Sequence, residues 1–277
     1  MLVNGEPAQN ISIEDRGLLY GDGLFETILC DLGKPVLLDL HCQRLQQGCE
    51  RLHIPVPDMN LLRQEIDTVA ACEDCVIKVI ITRGVRTRGY RFDHHDTSTS
   101  RIVYKSPCPQ IPEEYYQHGI ELGVSEFRLA DNEILAGLKH LNRLEQVMAC
   151  YEWPPECAEL LMLNHQGQVI EGTMSNVFIQ TANGWKTPIL KGSGINGVLR
   201  EWILANASQL NIECSQQTLS LDDIKQAQSI FVCNSVIGVW PVKQFLQQPI
   251  SISDSLVAIT QEIQRQISAR FLSATHV

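Results

Sequence analysis

Hydrophobic positions change period several times along this chain, and the changes mark its elements. Near the start, Asn4-Gly5 is a tight-turn dipeptide; further on, residues 24–30, the turn Asp31-Leu32-Gly33-Lys34 and residues 35–38 predict a second hairpin. Asp39 then reads as an N-cap, with Leu45, Cys49 and Leu52 at helical spacing predicting a helix over 40–52. Leu62, Ile66 and Val69 predict another over 60–71. The β-branched run 76–82 is a strand and 102–104 a shorter one. Downstream, residues 159–163, the turn His165-Gln166-Gly167-Gln168 and one long strand 169–179 read as a hairpin. Helices are predicted over 197–210 and over 254–267, where Leu256, Ile259, Ile263 and Ile267 form a stripe. The uncharged stretch 226–242 holds Ser229, Asn234 and Ser235 and is short for a membrane span, so it reads as buried strand.

Pro107, Pro109 and Pro112 punctuate the pattern and predict a boundary: one domain over 1–107, a linker over 108–112, a second domain over 113–277. The class is mixed α/β, without repeats. A length of 277 residues suits two modest domains, and 44% hydrophobic with 19% charged residues excludes disordered and collagen-like chains. With 22 Lys+Arg against 32 Asp+Glu the net charge is −10, which repels nucleic acid and anionic lipid at long range. The first residues lack the basic and apolar regions of a secretory signal, so a cytoplasmic protein with reduced thiols is expected. Among ten scattered cysteines, Cys72 and Cys75 have CxxC spacing with no second pair to complete a metal site, and no metal is expected.

Four segments carry candidate chemistry. In Ala136-Gly137-Leu138-Lys139-His140-Leu141-Asn142-Arg143, the lysine is either a surface residue or an amine kept partly desolvated for Schiff-base chemistry. In Val169-Ile170-Glu171-Gly172-Thr173-Met174-Ser175-Asn176, the carboxylate stands alone in an uncharged stretch and, if buried, needs a cationic partner such as a protonated pyridine nitrogen. Gly192-Ser193-Gly194-Ile195-Asn196-Gly197-Val198-Leu199-Arg200 is a glycine-rich turn opening a helix, either a plain connection or a phosphate cup. Tyr20-Gly21-Asp22-Gly23-Leu24-Phe25-Glu26-Thr27 is followed by Arg44, which suits a phosphate clamp or a surface ion pair.

In this order the four segments resemble the class IV aminotransferase family of pyridoxal 5′-phosphate (PLP) enzymes, from about Asn4 to Val242. The resemblance implies fold type IV, with a smaller N-terminal α/β sandwich and a larger, barrel-like C-terminal α/β domain, in a homodimer. It implies that Lys139 holds PLP covalently, that Glu171 binds the ring nitrogen, and that Arg44 with the amides of Val198 and Leu199, assisted by Asn234 and Ser235, holds the phosphate. Within the family, Gly-Leu-Lys-His-Leu-Asn-Arg-Leu-Glu-Gln-Val resembles the 4-amino-4-deoxychorismate lyase branch. Leu144, where branched-chain aminotransferases carry an aromatic residue, and Thr27, where they carry glycine, point the same way; the plain alternatives are helix core and a strand residue. The implied reaction releases 4-aminobenzoate and pyruvate in folate biosynthesis, with Thr27 assisting proton transfer. A dicarboxylate substrate needs local positive charge, and Lys78, Arg83, Arg86, Arg88 and Arg91 supply it without an intervening acid, Arg88 and Tyr90 standing where the family binds substrate carboxylate. The alternatives are a D-amino-acid or branched-chain aminotransferase of the same family, a non-catalytic ligand-binding relative, or a thiol redox protein built on Cys72 and Cys75.

Overall fold

The computed structural model describes residues 1–85, 89–93 and 98–268. Contacts divide them into two compact units: Met1–Pro109 together with Leu138–Asn142, and Gln110–Gly137 together with the chain from Arg143 onward.

In chain order the N-terminal unit comprises β1 (Leu2–Val3), β2 (Glu6–Pro7), α1 (Arg16–Tyr20), β3 (Gly23–Asp31), β4 (Lys34–Pro35), α2 (Leu38–Arg51), α3 (Met59–Ala70), β5 (Cys75–Thr82) and β6 (Ser100–Ser106). Its sheet runs β2-β1-β6-β5-β3-β4, antiparallel throughout. Alternation along β3 turns Leu24, Glu26 and Ile28 inward and leaves Phe25 and Thr27 half-buried on the opposite face. Leu45 and Cys49 of α2, with Leu62, Ile66 and Val69 of α3, are buried in this unit's core. Full burial of such side chains stabilises by roughly 1.5–3 kcal/mol each. Asp39 is not the N-cap the sequence predicts: the chain reverses sharply after β4, Leu37 takes the cap position with φ 53°, and Asp39 in the first turn pairs with Arg63 at 2.8 Å.

The lysine segment, expected with the C-terminal domain, packs in this N-terminal unit instead. Phe25 N donates to Lys139 O and Leu141 N to Gly23 O, each at 3.0 Å, so His140 pairs with Leu24 on the strand edge that β5 leaves open. Free backbone groups on a strand edge accept any extended segment within reach, which is why contacts overrule chain order here. Asn142 closes the segment by donating Nδ2–H to Gly21 O at 3.1 Å. Gly21 has φ +65°, and a Cβ there would lie 2.4 Å from Asn142 Oδ1, so only glycine fits that turn.

The C-terminal unit continues with α4 (Glu114–Gln117), β7 (Ile120–Leu129), α5 (Leu144–Ala149), β8 (Glu159–Asn164), β9 (Gln168–Gly172), β10 (Asn176–Thr181), β11 (Gly184–Pro188), α6 (Val198–Ala205), β12 (Cys214–Gln217), β13 (Leu219–Ser220), α7 (Leu221–Lys225), β14 (Ser229–Asn234), β15 (Gly238–Phe245), β16 (Gln248–Pro249) and α8 (Asp254–Ile267). Its ten strands form a mixed, nearly closed barrel-like sheet in the order β12-β11-β10-β14-β15-β7-β8-β9-β13, with β16 on β15. The expected mixed α/β class with a barrel-like second half is the fold observed. Its core joins Leu161, Leu163, Val177, Ile179, Val232 and Trp240.

The long strand predicted over 169–179 is two strands. Glu159, fully buried at the start of β8, accepts from Leu160 N, Thr173 N and Thr173 Oγ1 on one oxygen and from Met174 N and Ser175 Oγ on the other, at 2.6–3.3 Å. This carboxylate knots the chain into a turn after Gly172, so β9 pairs with β8 while β10 pairs with β11 and β14. The stretch 226–242 is likewise two strands, β14 and β15. Leu144 is not helix core: α5 buries Ala149 alone and leaves Leu144 71% exposed. Among the described residues no helix is long and apolar enough to cross a membrane.

Candidate active site

Each unit carries one group of candidate residues. In the N-terminal unit, β3 presents Phe25 and Thr27 on the face away from α2, and the register sets Lys78 of β5 directly opposite Thr27. Lys78 Nζ donates to Thr27 Oγ1 at 3.1 Å and lies 4.0 Å from the centroid of Phe25. Lys139 Nζ lies 4.4 Å from the same centroid. An aromatic face attracts ammonium groups through its quadrupole without taking their protons, so the ring holds both amines by its face. Burial lowers the pKa of Lys78, with Glu26 pulling the other way.

Behind this face Glu26 points to α2. His41 Nδ1 lies 2.6 Å from Glu26 Oε2, and Arg44 grips the carboxylate through Nε to Oε1 at 2.8 Å and Nη2 to Oε2 at 2.5 Å. Burial is the largest single influence on Glu26 and would raise its pKa, but Arg44 and His41 together outweigh it and hold the carboxyl at about 2. Burial lowers the pKa of His41 while Glu26 pulls it up, and beside the ionised Glu26 it is the His41 Nδ1–H that donates. Arg44, expected on phosphate, thus grips Glu26 with Nε and Nη2.

Of the expected basic cluster, Arg83 is structural. It is buried, donates to both oxygens of Asp22 and to the carbonyls of Leu52 and His53, and stacks on Phe92 at 3.7 Å. Burial would raise the pKa of Asp22, but Arg83 and Arg16 together bring it below the ordinary value. Tyr90 is 83% exposed, its ring tilted against Tyr20 and its carbonyl accepting from Arg16. Arg88, with the rest of 86–88, lies outside the described residues. Cys72 is exposed and Cys75 buried, and among the described residues no three His, Cys, Asp or Glu side chains converge as a metal site.

In the C-terminal unit, Glu171 on β9 is buried, and its Oε2 accepts from Ile195 N at 2.7 Å. Gly194, φ +86°, makes that approach possible: a Cβ there would sit 2.7 Å from Ile170 Cγ2 and 2.8 Å from Leu190 Cδ2. The carboxylate's charge reaches Arg143, where burial lowers the pKa and Glu171 opposes it. Gly197 is the N-cap of α6, and a Cβ on it would lie 2.0 Å from Asn176 Oδ1, whose Nδ2 donates to Ile195 O. The loop 194–197 is therefore clamped from β9 and β10. It delivers Val198 and Leu199 to the first turn of α6, where N–H groups have no acceptor within the helix and the dipole favours an anion. Asn234 is drawn into the turn between β14 and β15: Oδ1 accepts from Val236 N and Ile237 N, and Nδ2 donates to Met174 O at 3.0 Å. Ser235 follows it in the same turn.

The role of Glu159, which fixes the surroundings of Glu171, escapes the sequence reading, and Arg200 of α6 stands in it only as the end of the glycine-rich segment. One local signal existed for Glu159, an acid opening an otherwise apolar strand. The groups present suit PLP: a lysine amine beside an aromatic ring, a buried carboxylate for a ring nitrogen, and helix-start amides whose glycine cap leaves no room for a side chain.

The family model for class IV amino-transferases matches residues 23–245. The aminodeoxychorismate lyase of Vibrio harveyi is 32% identical over 269 residues, covering 96% of this chain and 98% of its own. The crystal structure of 4-amino-4-deoxychorismate lyase from Pseudomonas aeruginosa is 39% identical with a TM-score of 0.90, covering 96% of this chain and 98% of that one. The D-alanine aminotransferase of Staphylococcus aureus (strain N315) is 26% identical over 275 residues, covering 95% of each. The match spans the segments bearing Lys139, Glu171 and the start of α6, and the chain belongs to the class IV amino-transferase family of PLP-dependent enzymes.

Proposed function

We propose that this protein is a PLP-dependent lyase that converts 4-amino-4-deoxychorismate to 4-aminobenzoate and pyruvate. The observation that carries the reading is the grouping of Lys139 and Lys78 at Phe25 with Thr27 bonded to Lys78: an amine that can exchange a proton, a cation for a carboxylate, and a hydroxyl beside that cation. The greater similarity to two lyases than to D-alanine aminotransferase supports it.

Lys139 holds the cofactor through its ε-amine. Glu171 keeps a proton on the ring nitrogen, and the amides of Val198 and Leu199 with Ser235 hold the phosphate. Arg44 joins them on that phosphate in the family pattern, and Asn234 shapes the turn that carries Ser235. When bound, PLP supplies an electron sink for the substrate's amine-bearing carbon. Lys78 binds a substrate carboxylate, a task Arg88 and Tyr90 share in the family pattern. The ε-amine of Lys139 would remove the proton from that ring carbon as general base. Thr27, whose oxygen accepts from Lys78, assists proton transfer at the enol ether oxygen as the C–O bond breaks and pyruvate leaves. Because the ring becomes aromatic, no amino acceptor is needed.

The test is a keto-acid-free assay. Purified enzyme given aminodeoxychorismate releases pyruvate and 4-aminobenzoate in equal amounts. No release, with brisk amino transfer from D-alanine or a branched-chain amino acid to 2-oxoglutarate, would establish the aminotransferase alternative instead.

A further inference from the structure

Arg200 carries a full positive charge into the C-terminal unit, and every group that accepts from it is neutral. It is the third residue of α6 and 3% exposed. Nη1 donates to Asn196 Oδ1 at 2.7 Å, Nη2 to Pro188 O at 2.9 Å and Gln216 Oε1 at 2.8 Å, and Nε to Thr187 Oγ1 at 3.4 Å. Thr187 spends its own hydroxyl proton on Val177 O at 2.8 Å, so its lone pairs face the guanidinium. The surrounding groups therefore hold the cation without neutralising it. Among the described residues no carboxylate accepts a hydrogen bond from Arg200; Glu171 and Glu201 act on it only through space. The thiols of Cys214 and Cys233 are pushed up by burial and are uncharged at neutral pH.

A buried guanidinium without a contacting anion is unfavourable. In the same turn, the positive end of the α6 dipole and its unclosed amides add to the potential. We propose that Arg200 is a positioning residue for a phosphate monoester at the start of α6, acting through charge and through its bond to Asn196 rather than by contact. A dianion there answers the buried cation, so Arg200 recognises the cofactor by its phosphate and is indifferent to its ring. The inference rests on the cofactor reading above but makes a demand that reading does not.

Two substitutions isolate the charge. R200Q removes it. Q216E, on an exposed edge strand, places a carboxylate where a neutral acceptor now touches Nη2, supplying the counter-charge from within. Cofactor-free protein is titrated with PLP and with pyridoxal by tryptophan fluorescence, and its melting is followed with and without inorganic phosphate. In both variants the preference for PLP over pyridoxal falls about tenfold, the weight of one screened charge, while pyridoxal affinity holds. Inorganic phosphate raises the wild-type melting temperature but raises that of Q216E much less, although Q216E starts higher. Equal weakening of PLP and pyridoxal, or an unchanged phosphate effect in Q216E, overturns the inference. Wild-type protein that binds neither aldehyde overturns the cofactor reading, and the phosphate melting series still decides the role of Arg200.

Discussion

Lys78 and Lys139 aim their ammonium groups at one aromatic ring, Nζ lying 4.0 and 4.4 Å from the centroid of Phe25. A dicarboxylate brought to this half-buried sheet face meets Lys78 beside that ring.

Lys78→Met therefore raises KM for the dicarboxylate substrate by about 10–100-fold, the value of a charge-assisted hydrogen bond of ~1.5–3 kcal/mol. kcat changes much less, because Lys139 remains. Steady-state pyruvate release measures both. An unchanged KM assigns the carboxylate to another cation, Arg88 being the first to replace.

Glu171→Gln retains PLP on Lys139, visible as absorbance that survives dialysis, yet loses about 10²-fold or more in kcat, because an amide cannot keep a proton on the ring nitrogen. Lys139→Ala loses the retained absorbance as well. Full activity in Glu171→Gln would remove that carboxylate from the chemistry.

Acid should weaken the N-terminal unit in two stages. His41 has a lowered pKa, so the stability of keeping it neutral is full above 6.5, its ordinary value, and is lost as pH falls below that. Glu26 is held at about 2 against an ordinary 4.5, so its contribution is present above 4.5 and drains away toward pH 2. The Glu26 share is roughly 3 kcal/mol at neutral pH. Thermal melts between pH 5 and 2 should fall steeply for the wild type, whereas Glu26→Gln starts lower and falls less; parallel curves would deny the pair this role.

Glu159→Ala strands the N–H groups of Leu160, Thr173 and Met174 without their acceptor and should cost about 3 kcal/mol or more. The urea midpoint of the C-terminal unit drops accordingly, with Glu159→Gln recovering part of the loss. PLP affinity falls too, since the turn sets where β9 ends and Glu171 points.

Much of this was written locally in the chain. The α8 stripe, the β3 alternation and the turn at Asn4-Gly5 depend on neighbours a few residues away, and periodicity exposes them. Lys139, Glu171 and the glycine-rich start of α6 are legible as a motif order. What escaped depends on distant partners. Nothing near residue 173 says that a carboxylate fourteen positions back will break the strand, and Arg44 looks alike whether it meets Glu26 or a phosphate. Arg83 reads as one of a basic run, yet it is absorbed by Asp22, which only the fold brings to it.

The edge pairing of His140 with Leu24 also sets a timetable. On the ribosome, β1 to β6 emerge long before the segment Leu138–Asn142 that finishes their sheet. The N-terminal unit must wait, one edge bare, while residues belonging to the other unit are synthesised. No single cut in the chain yields both units whole: a fragment ending at Pro109 would lack the segment bearing Lys139. A complete version would need that segment grafted back, or the chain reordered so that it precedes β3.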